Sequence, residues 1–277
     1  MKIWIFIPLI TVIFNFSTIS SYFGFNFFKN YEKSGKSITL ATYNVNYFSY
    51  KNLQTNVSAV AKLITSKNID IVALQEFETN AYFNISEIIN EFDFLPYSSA
   101  KFVNFEENGI IILSRYPIVR SEKIAFPATN NGAVWADIVF QGDTIRVFSN
   151  HLQTTGISRS NSIYSIYESA SINSGIRSKQ ADVIRSYIDA SRYPVIVCGD
   201  FNDTPSSYTY TKIKGDDLAD SFLEMGRGPG GTYFSRLFMT RIDYILHSKE
   251  FKCTSFKTVN SSLSDHKPLI SVLEYQN

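Results

Sequence analysis

A set of polar residues stands where apolar runs of the chain begin or end. Asn44 follows "LATY", Glu76 follows "IVALQ", His151 follows "VFSN", and Asp200 and Asn202 follow "VIVCG". Asp243 interrupts "RIDYIL", while Asp265 and His266 precede "KPLISV". Singly, each has a bland explanation, because Asn and Asp cap helices and make turns. That explanation is the stronger one for Asn44 or Asp203 alone, and His247 in "ILHSKE" reads as a structural histidine. Together, carboxylates, carboxamides and two histidines after separate apolar strands suit a hard-cation and phosphoryl-transfer site. Mg²⁺ takes oxygen ligands and keeps several waters. A phosphate ester needs a polarised oxygen, an activated water and donors for the developing charge. The i, i+2 spacing of Asp200 and Asn202 puts both side chains on one side of an extended backbone, facing one pocket.

The elements that must position these residues alternate between strand and helix from about residue 37. Residues 37–46 are strand-like, and 56–76 read as a helix followed by a second strand. "GIIILSRYPIV" (109–119), 133–140 and 144–152 read as successive antiparallel strands, the last two joined by a hairpin at Gln141-Gly142-Asp143. A helix over 175–192 brings Ile176, Val183, Ile184, Tyr187 and Ile188 close to one face. Val195, Ile196 and Val197 have nothing polar to alternate against, which predicts a strand buried on both faces. Residues 241–248 and 268–275 supply the last strands, and the Ser-rich stretch 158–174 is either a mobile loop or a loosely docked helix. No linker interrupts residues 37–277, so they form one α/β domain.

Composition supports a chain with a sizeable packed core rather than a disordered one: 44% of residues are hydrophobic, with 23 Phe and 17 Tyr among 277. The 26 basic and 25 acidic residues leave a net charge of +1, which argues against a strongly basic nucleic-acid-coating surface. Cys198 lies inside an apolar run and reads as a buried free thiol, far in sequence from Cys253. No CxxC or His/Cys cluster suggests structural zinc.

The N-terminus differs in kind. Between Lys2 and Lys29 there is no charged residue, and residues 3–23 approach the ~20 needed to span a bilayer. Two readings stay open for residues 1–28, an uncleaved membrane anchor or a signal peptide removed on export. Lys29, Lys33 and Lys36 favour a cytoplasmic remainder and Lys2 opposes it; the expectation is a membrane-anchored protein with its catalytic domain exported, or a secreted one after cleavage.

"TYNV", "VALQE", "NHLQ", "GDFND", "RIDYIL" and "SDHKPL", in this order, resemble the endonuclease/exonuclease/phosphatase superfamily, whose members include pancreatic deoxyribonuclease, abasic-site endonucleases, neutral sphingomyelinases and inositol-polyphosphate phosphatases. The resemblance covers residues 38–275 and is closest to bacterial members with an N-terminal membrane segment. It implies a four-layered α/β sandwich, two facing mixed sheets flanked by helices, here with an N-terminal apolar helix in addition. It also implies Mg²⁺, with Mn²⁺ as a substitute, and a phosphate-ester substrate: nucleic acid, phospholipid or a small ester. A monomer is expected. By the same resemblance Glu76 is the principal metal carboxylate, Asn44 a ligand or ligand-orienting amide, and Asp265 completes the metal shell. Asp200 positions or deprotonates the attacking water, Asn202 bonds the phosphate or holds Asp200, and His266 meets the phosphate or nucleophile. Asp243 accepts the other ring proton of His266, and His151 donates to the phosphate or leaving group.

The chain departs from that pattern at one point. An arginine common before the hairpin is absent from "NNGAVWAD", leaving Arg159, Arg177 or Arg236 as candidate substitutes. Asn108-Gly109 lines the site or forms a turn, and "GRGPGGTYFSR" (226–236), which lacks P-loop spacing, reads as a flexible rim loop. The leading function is metal-dependent hydrolysis of a phosphate ester, a phosphodiester first. The alternatives are a phosphomonoesterase of the same fold and a membrane-tethered pseudoenzyme that binds phosphorylated ligands.

Overall fold

The computed structural model describes residues 15–29, 35–48, 53–77, 85–101, 109–127, 129, 131–156, 163–234 and 239–276. Strand alternation sends neighbouring residues into different cores. In β2 (Ser37–Asn44) Ile38 and Leu40 face one side and Ala41 and Tyr43 the other; in β3 (Ile71–Gln75) Ile71 and Ala73 oppose Val72 and Leu74. These strands belong to a six-stranded sheet that also holds β4 (Tyr97–Ser98), β5 (Ile111–Ser114), β15 (Phe251–Thr258) and β16 (Leu269–Tyr275). A second six-stranded sheet runs β10 (Ala219–Asp220), β14 (Asp243–His247), β9 (Val195–Asp200), β8 (Asp143–His151), β7 (Gly132–Phe140), β6 (Ile118–Ala125).

The inner faces meet in one core, where Leu40 and Ala73 join Ala136, Val147, Ile196 and Ile245. Outside the first sheet, Val60 and Ile64 of α2 (Leu53–Thr65) cover Val72 and Leu74. Outside the second, Ala181 and Ile184 of α4 (Ile163–Asp189) and Ile213 of α5 (Tyr208–Lys214) cover Val197 and Leu246. α1 (Phe16–Tyr22), α3 (Ile85–Asn90) and α6 (Ser221–Met225) complete the helices among the described residues. Both sheets are mixed, since β2–β3 and β8–β9 are parallel pairs among antiparallel ones. The expected sandwich of two facing mixed sheets with helices outside is therefore the architecture adopted.

Several local expectations change. The run 109–119 is not one strand: β5 and β6 lie in different sheets, broken at Pro117, where the ring removes a ladder donor. The hairpin keeps its place, with Gln141 and Gly142 at φ 50° and 97° between paired Phe140 and Asp143. The Ser-rich stretch from Ile163 is helical and continuous with the predicted helix; Tyr164 and Tyr167 project into solvent, and Asn173 ties it to Thr155 O at 3.1 Å. Both cysteines are free and buried, which for Cys198 is the expected state.

The N-terminal apolar helix expected over 3–23 is not what the described part shows; residues 3–14 lie outside the described residues. From Phe16 the chain makes a two-turn helix, then β1 (Phe23–Phe25) pairs antiparallel with β11 (Arg227–Pro229). The Gly230 N–H donates to Tyr22 O at 2.8 Å, and Arg241 Nη1 donates to Ser21 O at 2.9 Å. Residues 16–29 are thus tied by a strand pair and hydrogen bonds to residues 226–241. Among the described residues no helix is long and apolar enough to cross a membrane.

Gly199 decides how closely β9 approaches β8. It sits at φ 122°, and a Cβ there would lie 2.1 Å from Asn150 O and 2.6 Å from Asn150 N. Both atoms are backbone in a paired strand and have nowhere to go. Gly199→Ala is expected to cost at least about 3 kcal/mol, strain and clash combined. A chemical-denaturation midpoint equal to that of the parent would reject this reading.

Candidate active site

The strands deliver their polar ends to one rim. In the parallel pair β2–β3 Asn44 lies in register with Gln75, and in β8–β9 His151 lies beside Asp200. β14 runs against β9 and starts where β9 ends, so Asp243 faces Asp200. Glu76 and Asn202, one and two residues past β3 and β9, sit at φ 49° and 51°, as do Asn46, Tyr47 and Phe48 near 50°. Left-handed backbone at non-glycine residues is unfavourable and gathers at functional sites. Here it turns the side chains inward as the strands end.

The resulting contacts join seven of the eight predicted residues. Asn44 Nδ2 donates to Glu76 Oε1 at 3.0 Å and to Asp200 Oδ2 at 3.1 Å. Its Oδ1 accepts the Asn46 N–H at 3.0 Å, which fixes the amide's orientation; Asn44 therefore orients carboxylates with its nitrogen and is not presented as an oxygen ligand. His151 Nε2 lies 3.3 Å from Glu76 Oε1. The Asn202 N–H donates to Asp200 Oδ1 at 2.7 Å, and its Nδ2 donates to Leu152 O at 2.9 Å, so Asn202 braces Asp200. His266 Nδ1 pairs with Asp243 Oδ2 at 3.0 Å, and its Nε2 lies 3.7 Å from Asp200 Oδ2. Asp265 stands to one side, with Oδ1 accepting from Asn46 Nδ2 at 2.9 Å.

Burial and charge set the protonation states. Burial alone would raise the Glu76 carboxyl, but the His151 hydrogen bond and charge hold it below its usual range. Burial would lower His151, yet Glu76 and Asp200 raise it. His266 follows the same logic, with Asp243 and Asp200 overcoming burial and bringing it up to about 10. Asp200 goes the other way: burial and the Asp243 charge push it up to about 6. Crowded carboxylates of that kind, with one donor atom each from Glu76, His151 and Asp200 within 4.8 Å of one another, fit a divalent cation. Asp200, Asp243 and His266 form a second such group.

Some expectations fail here for physical reasons. Arg177 does not replace the missing phosphate-contacting arginine; it is buried, with Nε on Asp203 Oδ2 and Nη1 on Gln153 O, both at 3.0 Å. Arg159, Arg236 and Asn108 lie outside the described residues. Gly109 is a turn, its carbonyl accepting the Phe77 N–H at 2.8 Å. The stretch 226–234 is not a loose rim loop: it pairs as β11 and as β12 (Tyr233–Phe234), and its glycines admit Phe222 and Met239 against the backbone. His247 is buried against Glu224 Oε2 at 3.1 Å, away from the rim, as a structural histidine should be.

Supporting residues went unread in the sequence. Thr232 Oγ1 accepts the N–H groups of Ile242 and Asp243 at 3.1 Å. Ser264 Oγ donates to Asn44 O at 2.8 Å and accepts the His266 N–H at 3.1 Å, tying the "SDH" turn to β2. Gln75 Nε2 reaches across the sandwich to Ser149 Oγ at 2.9 Å, a buried polar link between the sheets. A glutamine inside "IVALQ" was the one visible sign of it.

Comparison with known proteins agrees with this fold. No curated protein sequence matches the chain. Among solved structures, an endonuclease/exonuclease/phosphatase family protein from Bacteroides thetaiotaomicron superposes with a TM-score of 0.67 at 17% identity, covering 89% of this chain and 100% of that one. A mannosyl-6-phosphatase from the same organism gives 0.65 at 16% identity, covering 86% and 100%. Humanized TDP2 of D. rerio gives 0.65 at 16%, covering 86% and 99%. At these identities the likeness is one of fold. The sequence model of one family, however, matches residues 41–266, from β2 to the site histidine His266. The chain belongs to the Endonuclease/Exonuclease/phosphatase family.

Proposed function

We propose that the chain hydrolyses a phosphate ester, a phosphodiester first, by in-line attack of an activated water with Mg²⁺ or Mn²⁺ as the cofactor. The observation that carries this reading is the buried Asp243–His266–Asp200 array set beside the Glu76–His151 pair at one rim. Asp200, braced by Asn202 and Asn44, is the group to orient and deprotonate the water. His266, held by Asp243 in one ring orientation and kept protonated, donates from Nε2 to a phosphate oxygen. His151, also raised, donates to the phosphate or the leaving oxygen. A divalent cation would be held by Glu76 and Asp200, with Asp265 nearby, and would supply Lewis-acid polarisation of the phosphate. Residues 3–14 are proposed as the membrane-attaching segment of an exported enzyme, with signal cleavage as the alternative, on their uncharged apolar sequence; residues 16–23, hydrogen-bonded to the rest of the chain, are not free to span a bilayer.

The test is a substrate panel of plasmid DNA, RNA, sphingomyelin, inositol phosphates, an aryl phosphodiester and an aryl phosphomonoester, titrated with Mg²⁺. Hydrolysis of a diester above the monoester supports the reading; the reverse order makes the chain a phosphomonoesterase. No turnover of any member, with ligand binding retained, makes it a binding module. Glu76→Gln keeps shape but removes one charge from the cation's surroundings. It is expected to raise the half-saturating Mg²⁺ concentration about 10–100-fold, with activity partly restored at high Mg²⁺. Superimposable titration curves, or full activity in EDTA, would reject the cation assignment.

A further inference from the structure

Residues near the N-terminus and the end of β15 enclose a cleft of about 740 Å³, apart from the catalytic array. Its walls carry Lys29, Arg227, Lys257 and Lys267 with no carboxylate, over an apolar floor that includes Phe222 and Phe256. The whole chain is near neutral at +1, so this excess of positive charge is local. Strand register extends the face beyond the cleft. Phe23 pairs with Pro229 and Phe25 with Arg227, and paired residues project from the same side of a ribbon. Phe25 therefore stands on the side that Arg227 turns to the cleft. Its ring stacks on Phe16 at 5.6 Å and packs on Phe23 at 5.0 Å, and Phe23 reaches Phe27 at 6.3 Å. Phe16, Phe25 and Phe27 stay about half exposed, and Phe28 is 97% exposed beside Lys29. Contiguous exposed rings bordered by cations mark an interaction surface.

We propose that this face docks on an anionic lipid bilayer, with the four exposed phenylalanines at the headgroup boundary and the cleft cations on lipid phosphates. Rings at that depth and basic groups at the surface are the two contributions that hold an interfacial protein. A nucleic-acid single strand would satisfy the cations and stack on the rings, but it would leave the uncharged "IWIFIPLITVIF" (3–14) that precedes them in water. The face is fixed to the catalytic rim. Lys267 directly follows His266, and β13 (Met239–Thr240) leads through Arg241, which bonds Ser21 O, to Asp243. Docking holds the active-site rim beside the membrane. The inference is independent of the hydrolytic reading and does not need the chain to turn over.

The test places a nitroxide at Phe28→Cys in the full chain; Cys198 and Cys253 are buried, so the label goes to position 28. Val119→Cys, exposed on the edge strand β6 of the second sheet and outside the cleft lining, is the reference position. Vesicles are phosphatidylcholine with or without phosphatidylglycerol. With phosphatidylglycerol, position 28 is expected to gain oxygen contact and lose contact with aqueous nickel chelate, while position 119 does not change. Lys257→Gln and Lys267→Gln should each lower the docked-to-undocked ratio about five-fold, the equivalent of roughly 1 kcal/mol per basic residue. High salt should release the label. Equal immersion in both vesicle types would mean that apolar contacts alone act, and no immersion would remove the surface altogether; either overturns the proposal. Shielding of position 28 by a single-stranded oligonucleotide, with none in anionic vesicles, would overturn it in favour of nucleic acid.

Discussion

Asp243→Asn is expected to lower kcat by about 10²-fold or more while the fold stays intact, the range for losing an oriented acid–base or charge-stabilising group. The carboxylate lies 3.0 Å from His266 Nδ1 and both side chains are buried, so it fixes the ring and sustains its charge. Burial works against that charge, and Asp243 is the first of the groups that reverse it, bringing the imidazole up to about 10. Without Asp243 the histidine falls back, so the alkaline limb of the pH–rate profile moves down from near 10. The stability sign follows the same shift. A histidine raised in the folded state contributes stability that is fully present below its unfolded pKa near 6.5 and lost as pH rises through about 10. The variant is accordingly less stable than the parent at neutral pH. Adding His266→Ala should cost little more in kcat, because residues acting as one unit are not additive. Multiplicative losses in the double variant would mean that the two do not work together.

How much of this was readable in the sequence depends on which atoms do the work. Glu76, His151, Asp200, Asp243 and His266 act through ionisable side chains at strand ends, and both residue type and position announce them. Thr232 and Ser264 act by capturing backbone N–H and C=O groups, and a hydroxyl carries no sequence mark of the backbone it will meet. Asn44 was legible as a site residue but not in its role: the Asn46 N–H, presented by a left-handed turn, decides which end of the amide faces the carboxylates. Layering was legible because period-two alternation and doubly buried runs report how many faces a strand must cover. The crossing at Pro117 was not, since Ile118 and Val119 resume the apolar pattern directly after it and only Ser114-Arg115 and the proline mark the break. Arg177 looked available for phosphate because its partner Asp203 is 26 residues away in sequence.

Asp200→Asn is expected to remove about 10³-fold from kcat, within the range for loss of a general base, and at the same time to raise Tm in EDTA at pH 7. Asp200 is 1% exposed, and its donors, the Asn202 N–H and the amides of Asn44 and Asn202, do not offset burial and the facing Asp243. Its carboxyl is held up to about 6. Between the unfolded value near 3.8 and about 6 the folded state binds more protons than the unfolded one, so stability falls as pH rises through that window and stays lower above it. Asparagine carries no charge to desolvate, so the variant escapes that loss. A Tm higher by a few degrees at pH 7, with the difference shrinking toward pH 4, is the signature; the scale is a few degrees per kcal/mol for a domain of this size. EDTA is essential, because a cation would neutralise the charge that makes the parent unstable. A bound cation favours the ionised carboxyl, so the acidic limb of the parent's pH–rate profile with Mg²⁺ should lie below 6. An Asp200→Asn protein that is inactive and also less stable at pH 7 would mean that the carboxylate's hydrogen bonds outweigh its charge burden. Asp200 would then be a structural anchor of the rim, and another group would have to take the proton from water.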